Sequence, residues 1–230
     1  MRFLLLVALI TGLASAKFSC SVIPISADIK SRVLNGASWH KGCPVGLDKL
    51  SYLQLKYLDF KGKERVGELI VNSTISNKVC KVFGSLYSSS YPIRQMRLVS
   101  DFKANDDASM KADNTSAFNC RLMTGSKTKW SNHSYGLAID LNPFENPYIS
   151  KSGKVSPKEA AKFAKRVHTS KAVLLKDDLA VKAFLREGFI WGGSWHSVKD
   201  YQHFEYKNVV KMPKKVAPKK LFKKLDSGMF

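Results

Sequence analysis

The N-terminal segment is the feature that most constrains what this 230-residue chain can become. It begins with a methionine and an arginine, continues as an almost unbroken apolar run, and ends in Ala14-Ser15-Ala16. A basic start, a short apolar stretch and small residues before a cleavage point are typical of a secretory signal. We therefore predict a signal peptide over residues 1–16. The alternative is an uncleaved anchor, although about a dozen apolar residues fall short of the roughly 20 that span a bilayer.

Export changes how the four cysteines are interpreted. Cys20, Cys43, Cys80 and Cys120 are an even number, and in an oxidising compartment they predict two disulfides. Three pairings are possible. Proximity along the chain favours Cys20 with Cys43, which leaves Cys80 with Cys120. A four-thiolate zinc site is disfavoured because no C-x-x-C spacing occurs.

The charge balance predicts a surface that attracts anions. The chain has 38 Lys plus Arg against 18 Asp plus Glu, and its 44% hydrophobic content excludes wholesale disorder. A C-terminal tail over residues 207–230 contains eight Lys and a single acid. It could be a nucleic-acid arm, a solubilising segment or a contact for anionic envelope polymers. Because we expect export, we expect no nucleic-acid partner; the mature chain also has no segment long and apolar enough to span a membrane.

The order of apolar patterns predicts an α+β fold with a mainly antiparallel sheet and flanking helices. We expect a single domain over residues 17–206. Residues 17–50 and 100–132 read as irregular, the second as a long loop. The predicted strands cover residues 52–60, 66–71, 93–99, 137–141, 189–191 and 202–206. The predicted helices cover residues 73–91, 156–168 and 177–187, the second opened by a capping box at Ser156-Pro157-Lys158-Glu159.

Two short segments hold residue types that carry metal chemistry. In the first, His133 precedes Asp140 by seven residues, and Gly136 permits a bend between loop and strand. A carboxylate among apolar residues on a buried strand is costly unless it is paired or bound to a metal. A salt bridge to one of the many lysines is the alternative. In the second segment, Asp200 precedes His203 by three residues.

Together these segments supply a plausible catalytic zinc site. A catalytic zinc takes three protein ligands and keeps one open position, and His133, Asp140 and His203 provide two nitrogens and one oxygen. Asp200 would then be the general base, although its ordinary pKa of about 3.9 requires burial or help from a metal. His196 is an alternative base.

The wider pattern resembles the VanY-type zinc D-alanyl-D-alanine carboxypeptidase family, whose relatives include endolysins that cut the L-alanyl-D-glutamate bond. The resemblance extends over about residues 64–206. It rests on blocks read as Ser131-x-His133-x-x-Gly136-x-Ala138-x-Asp140, Asp200-x-x-His203, Asp106-Asp107-x-Ser109-Met110, Asn114 to Arg121, Asn142-Pro143-x-x-Asn146-Pro147-Tyr148 and Trp191-Gly192-Gly193-x-Trp195. The fold implied is that of Hedgehog and DD-peptidase zinc domains.

The resemblance also implies roles by position. His133, Asp140 and His203 match the ligands of one Zn²⁺ per chain, and Asp200 matches the acid that activates water. Arg121 matches an arginine that contacts the substrate carbonyl or carboxylate, which suits a rigid guanidinium. Ser131 is expected to hydrogen-bond substrate or a ligand. Several relatives carry a cysteine where Ala108 stands; if that cysteine normally pairs with the one at position 120, Cys120 must find another partner here.

The predicted function is therefore that of an exported zinc metallopeptidase, periplasmic, secreted or envelope-associated, acting on peptidoglycan stem peptides. A D-alanyl-D-alanine carboxypeptidase is favoured. The alternatives are an L-alanyl-D-glutamate or cross-bridge endopeptidase and a non-catalytic zinc-containing envelope-binding module. Trp191 and Trp195 either line a groove or pack on the sheet. We expect Glu205 to be structural and to point away from the metal.

Overall fold

The computed structural model describes residues 17–207, so the predicted signal peptide and all of the tail beyond Lys207 lie outside the described residues. The strands are β1 Cys20–Pro24, β2 Leu50–Leu58, β3 Glu64–Asn72, β4 Gln95–Met96, β5 Asn114–Thr115, β6 Ala138–Asp140, β7 Tyr148–Ile149, β8 Val155–Ser156, β9 Phe189–Trp191, β10 Lys199–Asp200 and β11 His203–Tyr206. The α-helices are α1 Ala27–Asn35, α2 Ser76–Ser88, α3 Asp106–Lys111 and α4 Leu179–Arg186. In this part of the chain no helix combines the length and apolarity needed to cross a membrane.

The largest regular unit is the antiparallel sheet β1-β2-β3. Leu53 and Leu55 of β2 are at most 1% exposed, and this alternation along the strand creates the apolar face that α2 covers. The helix contributes Val79 and Phe83 to the same core. The predicted hairpin and the helix that follows it are therefore confirmed.

Two further three-stranded sheets carry the C-terminal half. One has the order β6-β11-β9 and the other β10-β7-β8, both antiparallel, while β4 and β5 pair in parallel. Phe184 of α4 stacks on Phe204 of β11 with ring centroids 3.8 Å apart and meets Phe83 edge-on. These aromatic contacts link the β6-β11-β9 sheet to α2. The α+β prediction with mainly antiparallel sheets agrees with this architecture.

Several local predictions were wrong. Residues 17–50 contain β1 and α1, and the helix starts at a Ser26 side chain that accepts from the Ile29 N–H. The expected loop 100–132 contains α3 and β5, and Asn105 caps α3 in the same way. The expected strand 93–99 is reduced to β4. The missed elements β1, α1, α3 and β5 are short, so each contains too few apolar residues to show a clear hydrophobic periodicity.

The predicted capping box was also wrong. Residues Lys158–Lys165 form a 3₁₀ helix, not an α-helix, and no side chain caps its start. Ser156 belongs to β8, where it pairs with Tyr148. The 3₁₀ helix begins one residue later than expected, so the residue at its N-cap position is Pro157, whose side chain has no group that could accept a hydrogen bond. By contrast, the helix predicted over residues 177–187 is confirmed as α4, with Gly188 following at φ +89°.

The disulfides join Cys20 to Cys80 and Cys43 to Cys120, so the pairing chosen by proximity was wrong. Cys20 lies on β1 and Cys80 on α2, two elements that the sheet brings together. The backbone N–H of Cys120 donates to the Ser38 carbonyl at 2.9 Å. This hydrogen bond holds the loop that carries Cys43 close to Cys120. Tertiary contacts therefore decide the pairing. Position 108 is an alanine here, and Cys120 pairs with Cys43.

A buried pair of carboxyl groups joins the residue before β5 to the turn after β6. Asp113 and Glu145 are 6% and 5% exposed, and their side chains interact. Asp113 also accepts from the Phe144 N–H at 3.0 Å and lies 3.5 Å from Arg94 Nε. Burial, reinforced by the neighbouring Asp113, raises the pKa of Glu145 to about 8. The folded protein therefore keeps a proton on this pair near neutral pH.

We expect Glu145→Gln to stabilise the protein in alkaline solution. The folded state holds the Glu145 proton more tightly than the unfolded chain, so the free energy of unfolding falls as pH rises from about 4.5 through 8. Glutamine keeps the size of the side chain and does not ionise. The Tm difference between variant and wild type should grow from pH 5 to pH 8.5, by about 2–4 °C for each kcal/mol. Thermal unfolding followed by circular dichroism, with exposed Glu159→Gln as control, measures it; a pH-independent difference would contradict the shared proton.

Candidate metal centre

The turn that carries His133 is shaped by its two ends. The Ser131 hydroxyl accepts from the His133 N–H at 3.3 Å and opens a short 3₁₀ helix, Asn132–Tyr135. Gly136 ends it at φ +67°, and a Cβ there would lie 2.5 Å from the Asn72 backbone nitrogen. Only glycine satisfies both the left-handed backbone and this close approach to β3. The turn therefore holds His133 at a defined position against the large sheet.

Strand pairing supplies the other two members of the cluster. Asp140 at the end of β6 lies directly opposite His203 at the start of β11 in the antiparallel register. Directly opposed residues place their side chains on the same face of a sheet. The pairing of β6 with β11 thus brings together two residues that are 63 positions apart in the sequence.

The three side chains meet at hydrogen-bond distances. His133 Nε2 lies 3.1 Å from Asp140 Oδ2, His203 Nδ1 lies 3.0 Å from Asp140 Oδ1, and the two ring nitrogens are 3.2 Å apart. The residues are 3%, 5% and 7% exposed. Zinc–ligand bonds of 2.0–2.1 Å in a tetrahedron place ligand atoms about 3.3 Å apart. The spacing of the cluster therefore fits one zinc-sized ion.

The outer nitrogens show which atoms face inward. His133 Nδ1 lies 2.5 Å from the Ala117 carbonyl, which can only accept, so Nδ1 carries the hydrogen and Nε2 offers a lone pair. His203 Nε2 lies 3.4 Å from the Glu205 carboxylate, which leaves the His203 Nδ1 lone pair facing Asp140. Two lone pairs and a carboxylate repel each other unless a cation lies between them. This donor set fits a divalent metal.

The pKa values of Asp140 and His203 also indicate that the cluster needs a positive charge. Burial opposes the charged forms of Asp140 and His203. Coulombic attraction and hydrogen bonds to the two histidines nevertheless hold the pKa of Asp140 well below its usual range. Hydrogen bonds to Asp140 and Glu205 raise the pKa of His203 to about 10. A proton on His203 thus neutralises the bare cluster, and a metal would have to displace it.

Asp200 lies beside this cluster on β10. A Cβ at Gly192 would lie 2.6 Å from the Asp200 carbonyl oxygen and 3.3 Å from His203 Cβ, so glycine at this position lets the two segments pack closely. The Asp200 Oδ1 atom is buried and has no hydrogen-bond partner among the described residues. Burial raises the pKa of Asp200 to about 6; the charge of His203 opposes the rise and that of Asp140 adds to it. A buried carboxylate with a free oxygen is a suitable proton acceptor.

The other predicted residues take different places. The guanidinium of Arg121 pairs with Asp106 at 2.9 Å, while its backbone N–H donates to the Ser134 hydroxyl at 2.9 Å. Arg121 is thereby attached to the turn that carries His133. Ser131 hydrogen-bonds the backbone of that same turn. His196 is exposed.

The two tryptophans separate into one packing residue and one site residue. Trp191 is 5% exposed, and its Nε1 donates to the Tyr201 carbonyl at 2.8 Å. Trp195 is only half-buried, and its ring centre lies 5.4 Å from that of His203. Trp195 therefore forms one wall of the candidate metal centre.

The expectation that Glu205 points away from the metal was wrong. Side chains alternate along a strand, so residues two apart share a face, and Glu205 lies on the same side as His203. Its carboxylate also accepts a very short hydrogen bond from the Asn132 amide, the residue before His133. Burial opposes ionisation, but hydrogen bonds to His203 and Asn132 lower the pKa of Glu205. Glu205 is thus a charged outer support for both histidines, which the period of two could have revealed.

One other group among residues 17–207 has donor atoms close enough to hold an ion. It comprises His40, Cys43 and Cys120. Both of its sulfurs are bonded to each other as a disulfide. The His133–Asp140–His203 cluster is therefore the candidate metal centre.

A comparison with known families finds a match over the segment that carries this cluster. Residues 124–206 match a family model described as D-alanyl-D-alanine carboxypeptidase. The matched segment is a little over a third of the chain and contains His133, Asp140, Asp200 and His203, whereas Arg121 lies just outside it. Over this segment the VanY-type resemblance is confirmed. No solved structure gives a significant match to the chain.

We expect Glu205→Gln to weaken zinc binding without unfolding the protein. Glutamine retains the shape but removes the charge that orients His203, and loss of such an outer partner typically costs 10–100-fold in metal affinity. Competition with a chromogenic chelator measures the affinity. Exposed Glu159→Gln serves as the matched control. Equal affinity in wild type and Glu205→Gln would contradict the support role.

Proposed function

We propose that this chain, whose residues 124–206 carry the segment shared with D-alanyl-D-alanine carboxypeptidases, is an exported zinc peptidase that removes the terminal D-alanine from peptidoglycan stem peptides. The family match supports a metallopeptidase with a peptidoglycan-derived substrate. The observation that carries the finer proposal is the buried set of three inward-facing donors beside Asp200, a carboxylate with an unpartnered oxygen. We also propose the Hedgehog/DD-peptidase-like fold and a single domain over residues 17–206 followed by the Lys-rich tail.

The proposed hydrolysis divides labour among the protein groups. Zinc, when bound by His133, Asp140 and His203, supplies Lewis acidity that polarises a carbonyl and lowers the pKa of water to about 7. Asp200 accepts a proton from the water that attacks the scissile carbonyl carbon. It then delivers this proton to the departing amide nitrogen as the C–N bond breaks. A pKa near 6 suits both transfers, because the group is ionised before attack and still gives up the proton readily.

Arg121 is proposed to hold the carboxylate of the terminal D-alanine. Its side chain is about one-quarter exposed, and one guanidinium nitrogen pairs with Asp106. The Arg121 Nε atom is buried and has no partner within residues 17–207. The two terminal nitrogens contact Asp106 and, at 3.4 Å, the Leu122 carbonyl, and each has a further N–H with which a planar guanidinium can bind a carboxylate or an oxyanion in a fixed orientation. Asp106 would then position the guanidinium for the substrate.

Export, with a periplasmic, secreted or envelope-associated destination, is part of the proposal. The two disulfides support it, because such bonds persist mainly in oxidising compartments. The signal-like residues 1–16 support it independently.

Muropeptide profiling tests the reaction. Purified sacculus fragments incubated with the mature chain should release free D-alanine, and a chelator should abolish this release. We expect Asp200→Asn to retain zinc but to lose about 10²–10⁴-fold in rate, because the proton acceptor is gone. Exposed Asp177→Asn is the matched control.

The other outcomes of the same experiment identify the alternatives. Release of whole stem peptides or of cross-bridge fragments would replace the carboxypeptidase with an endopeptidase. Zinc binding without any cleavage would indicate a non-catalytic envelope-binding module. Full activity of Asp200→Asn would remove Asp200 as the base.

The role of Arg121 has a separate test. If its guanidinium holds a terminal carboxylate, Arg121→Lys should reduce kcat/KM for peptides with a free C-terminus at least tenfold more than for the same peptides amidated. A lysine keeps the charge but not the planar fork. Mass spectrometry of both peptide series gives the ratio, and equal losses would speak against the clamp.

A further inference from the structure

The segment between β8 and α4 lines a recess that includes none of the residues of the candidate metal centre. A cavity of about 510 Å³ is lined by His168, Lys171, Asp178 and Ser89, among others, and a smaller one of about 320 Å³ by Lys162 and Phe163. Thr169 and Ser170 line both cavities. The two recesses therefore adjoin, and we name them together the basic groove.

The segment that forms the basic groove is strongly cationic. Residues 151–176 contain seven lysines and one arginine against a single acid, Glu159. All seven lysines are exposed. Such a concentration of one sign raises the local concentration of anions and steers them to the surface.

Two acids near the basic groove, Asp178 and Glu159, already have partners, whereas Asp177 beside Asp178 is exposed. Asp178 Oδ2 lies 3.1 Å from His168 Nε2 and accepts from the Leu175 N–H at 2.6 Å. Glu159 lies 3.8 Å from Lys111. At the two ends of the groove, Lys171 has no acidic partner among the described residues, and the Lys162 ammonium lies 5.0 Å from the centre of the Phe163 ring, a contact that leaves its charge uncompensated.

The one arginine of this segment builds the fold instead of facing a ligand. Arg166 donates to the carbonyls of Glu145 and Leu174, and its guanidinium lies 4.1 Å from the centre of the Tyr201 ring. The groove therefore offers point-charge ammonium groups and no free guanidinium fork. Lysine binds phosphate groups as a point charge, whereas bidentate recognition of a carboxylate or phosphate needs the arginine fork that this groove lacks.

The groove lining contains hydroxyl groups and no surface on which bases could stack. Ser89, Thr169 and Ser170 supply the hydroxyls. The Ser89 hydroxyl donates to the Leu86 carbonyl and can still accept, and the Ser170 hydroxyl accepts from the Ala172 N–H and can still donate. The Tyr91 ring is 6% exposed, and its hydroxyl is committed to the Ala172 carbonyl at 2.7 Å. Phe163 packs edge-on against Phe144. No open aromatic platform of the kind that binds single-stranded nucleic acid lines these two cavities.

We propose that the basic groove binds a polyol-phosphate polymer, with phosphodiesters at Lys162 and Lys171 and polyol hydroxyls at the groove serines and threonine. This binding site goes beyond the peptidase reaction. It would hold the protein on a polymer of the envelope while the metal cluster works on peptides. The groove floor is tied to the segment after Asp140, because the Asn142 amide nitrogen lies 3.3 Å from the Tyr91 hydroxyl.

Binding of purified polyribitol phosphate, free of peptidoglycan, tests the proposal by titration calorimetry on the full chain at low salt. We expect Lys162→Glu/Lys171→Glu to weaken binding at least tenfold. The matched control Lys61→Glu/Lys63→Glu has the same net charge and exposed lysines elsewhere, in the turn after β2, and should change binding less than twofold. A charge-neutral variant, Thr169→Trp, should fill the junction of the two cavities and also weaken binding tenfold.

The remaining outcomes overturn the proposal. Equal losses in both lysine pairs would mean attraction by overall charge alone. Full binding by Thr169→Trp would place the polymer outside the groove. Tighter binding of single-stranded DNA or of polygalacturonate would identify a different partner. Hydrolysis of short stem peptides should be unchanged in all variants, so a failed polymer titration leaves the peptidase reaction standing, and a failed peptidase assay leaves the groove standing.

Discussion

Mutual repulsion among the inward-facing donors of His133, Asp140 and His203 is the constraint on which the site depends. Each outer nitrogen of the histidines meets an acceptor, the Ala117 carbonyl or the Glu205 carboxylate, so their free lone pairs point at one another. Burial removes the water that could separate them. The cluster must therefore hold a proton or a metal, and its spacing suits the metal.

This arrangement is held by close backbone contacts more than by side-chain volume. Gly136 lets the His133 turn touch β3, and Gly192 lets the Asp200 segment touch His203. Behind them, Asn146 donates to the Ala172 carbonyl, and Arg166 lies over Tyr201, the residue after Asp200. The buried polar network on this side thus positions both the base and the wall of the groove.

Acidic and basic side chains occupy different environments in this protein. Acids are concentrated in buried or paired positions, as at Asp113 with Glu145 and at Glu68 and Asp101 with Arg32. Lysines are left largely on the surface, and they crowd residues 151–176. The net positive charge of the protein therefore lies mainly on its surface, whereas Asp140 and the Asp113–Glu145 pair are buried.

The sequence by itself singled out His133, Asp140 and His203, since only five histidines and a few acids in motif spacing had to be considered, and the structure brings these three side chains together. It also determined the hairpin β2–β3, α2 and α4, whose apolar periodicity is long enough to be unambiguous. Only the tertiary structure decided the disulfide pairing, the 3₁₀ helix at Lys158–Lys165 and the contact of Glu205 with His203 and Asn132. The physical reason is range: periodicity reports which face of one element is buried, whereas these features depend on which other element comes to lie against it.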